Sequence, residues 1–140
     1  MTVKDHVSFH QLGATRDQAA LERGRGYVSE KQGAKAVFVH NGEPMRFLAY
    51  LEFTSGMTRG NHFHERKLEH LAVVSGLVRA KFVLPEAPDD ILEATLETGD
   101  VVTIAPGCVH SYYAADPAVA VEFSPNGFEA KDTLTYLIEW

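Results

Sequence analysis

GMTRGNHFHERKLEHLAVVSG, residues 56–76, places two histidines one residue apart, followed by an acidic residue at the head of an apolar run. In an extended strand alternate side chains share a face, so His62 and His64 can approach one ion together. The polar stretch at residues 65–68 supplies a turn, and Glu69 opens the run EHLAVVS. With Glu69 facing inward, Leu71 and Val73 face inward too and His70 faces away. The second strand of such a hairpin brings a carboxylate to the two imidazoles.

A second informative stretch is GDVVTIAPGCVH, residues 99–110. Gly-Asp makes a turn, VVTIA a buried strand and Pro-Gly another turn, so that His110 begins the next strand. Three imidazoles and one carboxylate suit Zn, Fe, Mn, Ni or Co, and the ligand types alone do not choose among them. The reading is one divalent transition metal ion on His62, His64, Glu69 and His110, with open positions for water or substrate. Tyr112 lies two residues beyond His110 and points into the same cavity, as a substrate contact or a proton donor. Arg59, just before the histidine pair, is a candidate contact for an anionic substrate. Nothing near Cys108 lowers its pKa, so it is read as inert. His6, His10, His40 and His70 fall outside the spacing and are read as structural or surface residues. Arg66 and Lys67 read as a solvated turn.

Outward from these stretches the chain breaks into short runs of β-branched and aromatic residues at 34–40, 46–53, 69–75, 77–84, 91–97, 100–105, 109–115, 118–124 and 133–140. Segments rich in Gly, Pro, Asn and Asp separate them, PEAPDD and SPNGFEAKD among them. In the second run Phe47, Ala49, Leu51 and Phe53 share one face, and Leu48, Tyr50 and Glu52 the other. Many short strands with little helix predict an all-β sandwich or barrel of antiparallel strands. The first third is less regular; residues 14–26 could form a short helix capped by Thr15 and ended by Gly24 and Gly26.

The chain has 140 residues, enough for one domain with its own core. A formal charge of −6 gives no basic field for a phosphate backbone, so nucleic acid is not the expected partner. There is no run of about 18 apolar residues for a membrane span and no apolar stretch behind Lys4 for a secretory signal. The single cysteine cannot form an internal disulfide, and a cytoplasmic location is expected.

The two quoted stretches resemble the two sequence motifs of the cupin superfamily. Gly56, His62, His64, Glu69 and Gly76 match the first motif at its fixed positions. Gly99, Gly107 and His110 match the second, which spans 99–114; Ala105 stands where proline is usual, with Pro106 beside it, and Ala114 replaces the usual asparagine. The resemblance implies a cupin jelly-roll β-barrel over residues 1–140 as one domain, with the four candidate ligands in its mouth, and a homodimer. TRGNHFHERKLEHLAVVSG is also similar to the segment of cupins that isomerise or epimerise nucleotide-linked keto sugars. Upstream, Arg23 and Gly24 fit a strand of the same enzymes, with Leu21 where an aspartate is usual. These likenesses imply a metal-binding enzyme on a small polar metabolite, isomerising or epimerising next to a sugar carbonyl, with His64 and Tyr112 as catalytic residues and Arg59 and Tyr112 as substrate contacts. The same ligands also serve an Fe-dependent dioxygenase, and the same fold a non-catalytic small-molecule-binding module.

Overall fold

The nine runs account for nine of the twelve strands among the residues that the computed structural model describes, 1–12, 18–22 and 27–140. The twelve are β1 (Val7–Gln11), β2 (Tyr27–Lys31), β3 (Ala34–Phe38), β4 (Phe47–Phe53), β5 (Met57–Phe63), β6 (Glu69–Ser75), β7 (Leu77–Leu84), β8 (Ala87–Glu97), β9 (Asp100–Ile104), β10 (Val109–Ala114), β11 (Ala118–Ser124) and β12 (Leu134–Thr135); β1, β2 and β5 lie outside the runs. The first sheet has the order β1-β9-β6-β11-β4 and the second β12-β5-β10-β7-β8; β2 and β3 form a separate two-stranded ribbon. All pairings are antiparallel. From β4 onward the chain changes sheet at nearly every connection, the β7–β8 hairpin excepted, which is the jelly-roll course expected.

The core lies between the two sheets, where Leu51, Phe53, Leu71 and Val73 of the first meet Val78, Phe82, Leu84 and Leu96 of the second. The alternation read along β4 holds, with Leu51 and Phe53 buried while Leu48 and Tyr50 are exposed. At Gly76 the chain turns between β6 and β7 with φ of +87°, and a Cβ there would lie 2.9 Å from the Pro117 carbonyl oxygen. Glycine therefore answers both a left-handed backbone and a close approach.

Three expectations change. The stretch PEAPDD does not form one long turn: β8 begins at Ala87, leaving Pro85 and Glu86 as the tip of a tight hairpin. Residues 133–140 do not form a full strand. Only Leu134 and Thr135 pair with β5, after which Tyr136 N–H donates to the Asn61 carbonyl and Trp140 Nε1–H to Ser111 Oγ. Third, β5 and β6 are not two strands of one hairpin; β5 pairs with β10 and β12 in one sheet, and β6 with β9 and β11 in the other. Of the helix expected over residues 14–26 the structure describes one turn, Ala19–Glu22, while Thr15, Arg23, Gly24 and Gly26 lie outside the described residues.

Candidate metal centre

His62, His64, Glu69 and His110 come together at one end of the barrel, with one ligand atom of each lying within 4.8 Å of the others. The ring centroids of His62 lie 4.9 Å from those of His64 and 4.7 Å from those of His110. A bulge sets this register: His110 pairs with His62 but Ser111 pairs with Gly60, so one extra residue is accommodated in β5. Gly60 and Asn61 both have positive φ, +90° and +58°, and a Cβ on Gly60 would sit 2.6 Å from the His110 carbonyl oxygen. The Gly-Asn pair before the first histidine is what brings the two histidine-bearing strands into line.

Glu69 reaches the same place from the other sheet. It is buried with Leu71 and Val73, while His70 turns to the outer face, as the alternation predicts. The segment between His64 and Glu69 is held by Asp132, whose carboxylate accepts the backbone N–H groups of Glu65, Arg66 and Lys67 at 2.9–3.3 Å. Burial works against that carboxylate's charge, but the three N–H donors outweigh it and lower its pKa.

Hydrogen bonds fix the imidazoles. His64 Nδ1 donates to the Asp132 carbonyl at 2.9 Å and His110 Nδ1 to the Cys108 carbonyl at 3.2 Å. A carbonyl can only accept, so in each neutral ring the proton is on Nδ1 and Nε2 offers a lone pair. Both Nε2 atoms face Oε2 of Glu69, at 3.7 Å from His64 and 2.7 Å from His110. None of these three buried atoms has a hydrogen-bond partner of acceptable geometry. Three acceptors turned toward one another repel unless a proton or a metal ion lies among them, and nitrogen, nitrogen and carboxylate oxygen form the donor set that a divalent transition metal accepts. The residues therefore fit such an ion.

Burial, reinforced by charge on His110, lowers the His62 pKa to about 4, so that ring is neutral at physiological pH. Burial alone would raise the Glu69 pKa, but the His110 and His64 imidazoles and the Lys67 ammonium hold it well below the ordinary carboxylate value. Tyr112 is buried next to His110, ring centroids 5.8 Å apart, and its hydroxyl has no hydrogen-bond partner. Burial and the Glu69 charge raise its pKa well above the ordinary value and keep it protonated. Burial pushes the Cys108 thiol up to about 12, in keeping with an inert role. Arg59 stands opposite Tyr112 in the β5–β10 register and is exposed to solvent.

The family model described as Cupin matches residues 28–135. The chain belongs to the cupin family. No curated protein sequence matches this cupin significantly. Among solved structures it is similar to the capsular polysaccharide assembling protein CapF from Staphylococcus aureus, at 21% identity and a TM-score of 0.62 over 81% of this chain. That match spans about a third of CapF, 32% of its length. It is also similar to QdtA, a sugar 3,4-ketoisomerase from Thermoanaerobacterium thermosaccharolyticum solved with TDP, at 13% identity and a TM-score of 0.69 over 92% of this chain and 87% of that one. The dTDP-4-dehydrorhamnose 3,5-epimerase from Sulfolobus tokodaii matches at 14% identity and a TM-score of 0.67, over 81% and 76% of the two chains. At these identities the likeness is one of fold.

Sequence reasoning missed two supports of the cupin's site. Lys67 is not a solvated turn residue: it is 4% exposed, 3.2 Å from Glu69 Oε1, 3.6 Å from Glu122 Oε1 and 3.8 Å above the Phe47 ring. Its position two residues before Glu69 was the available signal, since period two places both on one face. Arg66 is exposed and pairs with Glu129, as a surface turn residue does. Asp132 had no local signal, because its partners lie more than sixty residues earlier in the chain.

Proposed function

We propose that this cupin is a metal-binding enzyme that isomerises or epimerises a small polar metabolite next to a sugar carbonyl. The observation that carries the reading is the set of inward-facing, partnerless atoms at one place: Nε2 of His64 and His110, Oε2 of Glu69 and the hydroxyl of Tyr112. The fold it shares with a sugar ketoisomerase and a sugar epimerase supports the choice of substrate class.

His62, His64, Glu69 and His110 would hold one divalent ion of the Zn, Fe, Mn or Ni type. Such an ion supplies Lewis acidity to a substrate carbonyl, which acidifies the neighbouring C–H. His64, its Nδ1 proton committed to the Asp132 carbonyl, would offer its Nε2 lone pair to the ion, with a second group in the pocket taking the α-proton; in a metal-free site that lone pair would itself take the α-proton. Tyr112 retains its phenolic proton through the working pH range and donates it to the substrate carbon from a second direction. Arg59, across the register from Tyr112, contacts the anionic part of the substrate. Proton removal and return at one carbon, or at neighbouring carbons, separates epimerisation from isomerisation.

The test is metal content and turnover together. Protein prepared without chelator or polyhistidine tag should carry about one equivalent at this site, lost in His62→Ala. It should exchange solvent deuterium into a TDP-linked keto sugar, and a folded His64→Ala variant should not. Retained exchange in His64→Ala overturns the reading. Oxygen uptake by the Fe(II)-loaded protein, without exchange, replaces it with the dioxygenase.

A further inference from the structure

On the opposite face of the same strand a second group of metal-ligand side chains converges. His40 and Glu43 lie in the connection between β3 and β4, and His70 projects from β6 on the outer side of the first sheet. Oε1 of Glu43 is 3.0 Å from Nε2 of His70 and 3.4 Å from Nε2 of His40. Ligands at about 2.0–2.2 Å from a tetrahedral zinc stand roughly 3.3–3.6 Å apart; the His40–Glu43 separation falls in that range and the His70–Glu43 separation is a few tenths of an ångström shorter. The two imidazole rings lie 5.0 Å apart and both pack on Phe123, which limits how they can turn.

Two details point to an ion rather than to a plain His–Glu hydrogen bond. Nδ1 of His70 is 2.8 Å from Thr103 Oγ1, a partner that can take the Nδ1 proton and leave Nε2 as a lone pair. Nε2 of His40 is buried and has no hydrogen-bond partner, although the Glu43 carboxylate is close by. A hydrogen bond from His70 to Glu43 satisfies one imidazole and leaves the other unexplained, whereas one cation satisfies both nitrogens and the carboxylate.

The geometry points to a second divalent-cation site, of the zinc class, formed by His40, Glu43 and His70. Its remaining coordination position is available to water or to a ligand held nearby. His40 also lines a cavity of about 730 Å³ whose apolar walls come from Val28 and Val37 of the β2–β3 ribbon and Ala72, Val121 and Phe123 of the first sheet. An ion here ties the β3–β4 connection, and with it the ribbon, to the outer face of the barrel. The proposal is independent of the function assigned to the inner site, since Glu69 and His70 face opposite sides of β6.

Equilibrium dialysis of tag-free, metal-stripped protein against Zn(II) tests it. Wild type should bind two equivalents, His62→Ala and His70→Gln one each, and the double variant none. Glu43→Gln, in a surface connection that does not carry the fold, should weaken the second equivalent by more than the roughly 10–100-fold that even an outer-shell change costs. If the inner site binds no metal, wild type binds one equivalent that survives His62→Ala and disappears in His70→Gln, which upholds the second site alone. A stoichiometry unchanged by both His70→Gln and Glu43→Gln overturns it.

Discussion

Lys67 and Glu69 are two residues apart on one face, both almost wholly buried, with Nζ 3.2 Å from Oε1. The two carboxylate oxygens are thereby given different partners: Oε1 faces the ammonium, and Oε2 faces His110 and His64. Lys67 thus supports and orients a candidate ligand from behind. Substituting Lys67→Met leaves a buried carboxylate without its cation and should cost about 3–5 kcal/mol in urea denaturation of metal-free protein. Adding Glu69→Gln should recover part of that loss, a coupling that a double-mutant cycle reads directly.

Acid should destabilise the metal-free protein in two stages. The folded pKa of His62 is about 4, below the ordinary 6.5, so between these values the unfolded chain takes up a proton the folded one refuses. Stability therefore falls as pH drops through that window and levels off beneath it. The Glu69 pKa is lowered well below 4.5, so its contribution is complete above that value and disappears as pH falls through the folded pKa. Urea titrations across the range should show the upper slope reduced in His62→Gln and the lower one kept.

Tyr112→Phe separates a chemical role from a packing role. The buried hydroxyl has no partner, so its removal should leave thermal stability unchanged or slightly raised. If the phenol donates a proton, kcat should fall by about 10²–10⁴. Full turnover in the variant would assign Tyr112 to packing.

Gly60 and Gly107 have nearly the same φ, +90° and +89°, but different surroundings. Alanine at Gly107 meets nothing within 4 Å and should cost only the left-handed backbone term, about 1–2 kcal/mol. Alanine at Gly60 also collides with the His110 carbonyl oxygen, so it should cost clearly more and weaken metal retention as His110 shifts. Denaturation midpoints and bound metal of the two variants provide the comparison.

These contrasts show where the sequence was readable. The run Glu69–Ser75 forms a strand with the bounds read from its apolar pattern, and its alternation correctly turned Glu69 in and His70 out. Local periodicity determines that much, because one buried face imposes the register. It could not show that β5 and β6 belong to different sheets. The turn between them is held by Asp132, and a partner so distant in the chain leaves no mark on local pattern. The Gly60–Asn61 bulge was hidden for a related reason: strict alternation already put His62 and His64 on one face, and only the pairing with β10 reveals the extra residue. The Lys67 environment was misjudged from composition, since a charged turn residue is usually solvated and this one is covered by Phe47 and two carboxylates.

The division of the inner site between the sheets bears on how the protein folds. His62, His64 and His110 arrive with β5 and β10, but Glu69 arrives with β6 on the opposing layer. Either layer alone carries an incomplete set, so tight chelation must wait until the layers have docked. Occupancy would then report on closure, and an ion gripping both layers would act mainly as a brake on opening, slowing unfolding more than it speeds refolding. For such an arrangement, affinity for the ion and resistance to unfolding are two readings of one free energy.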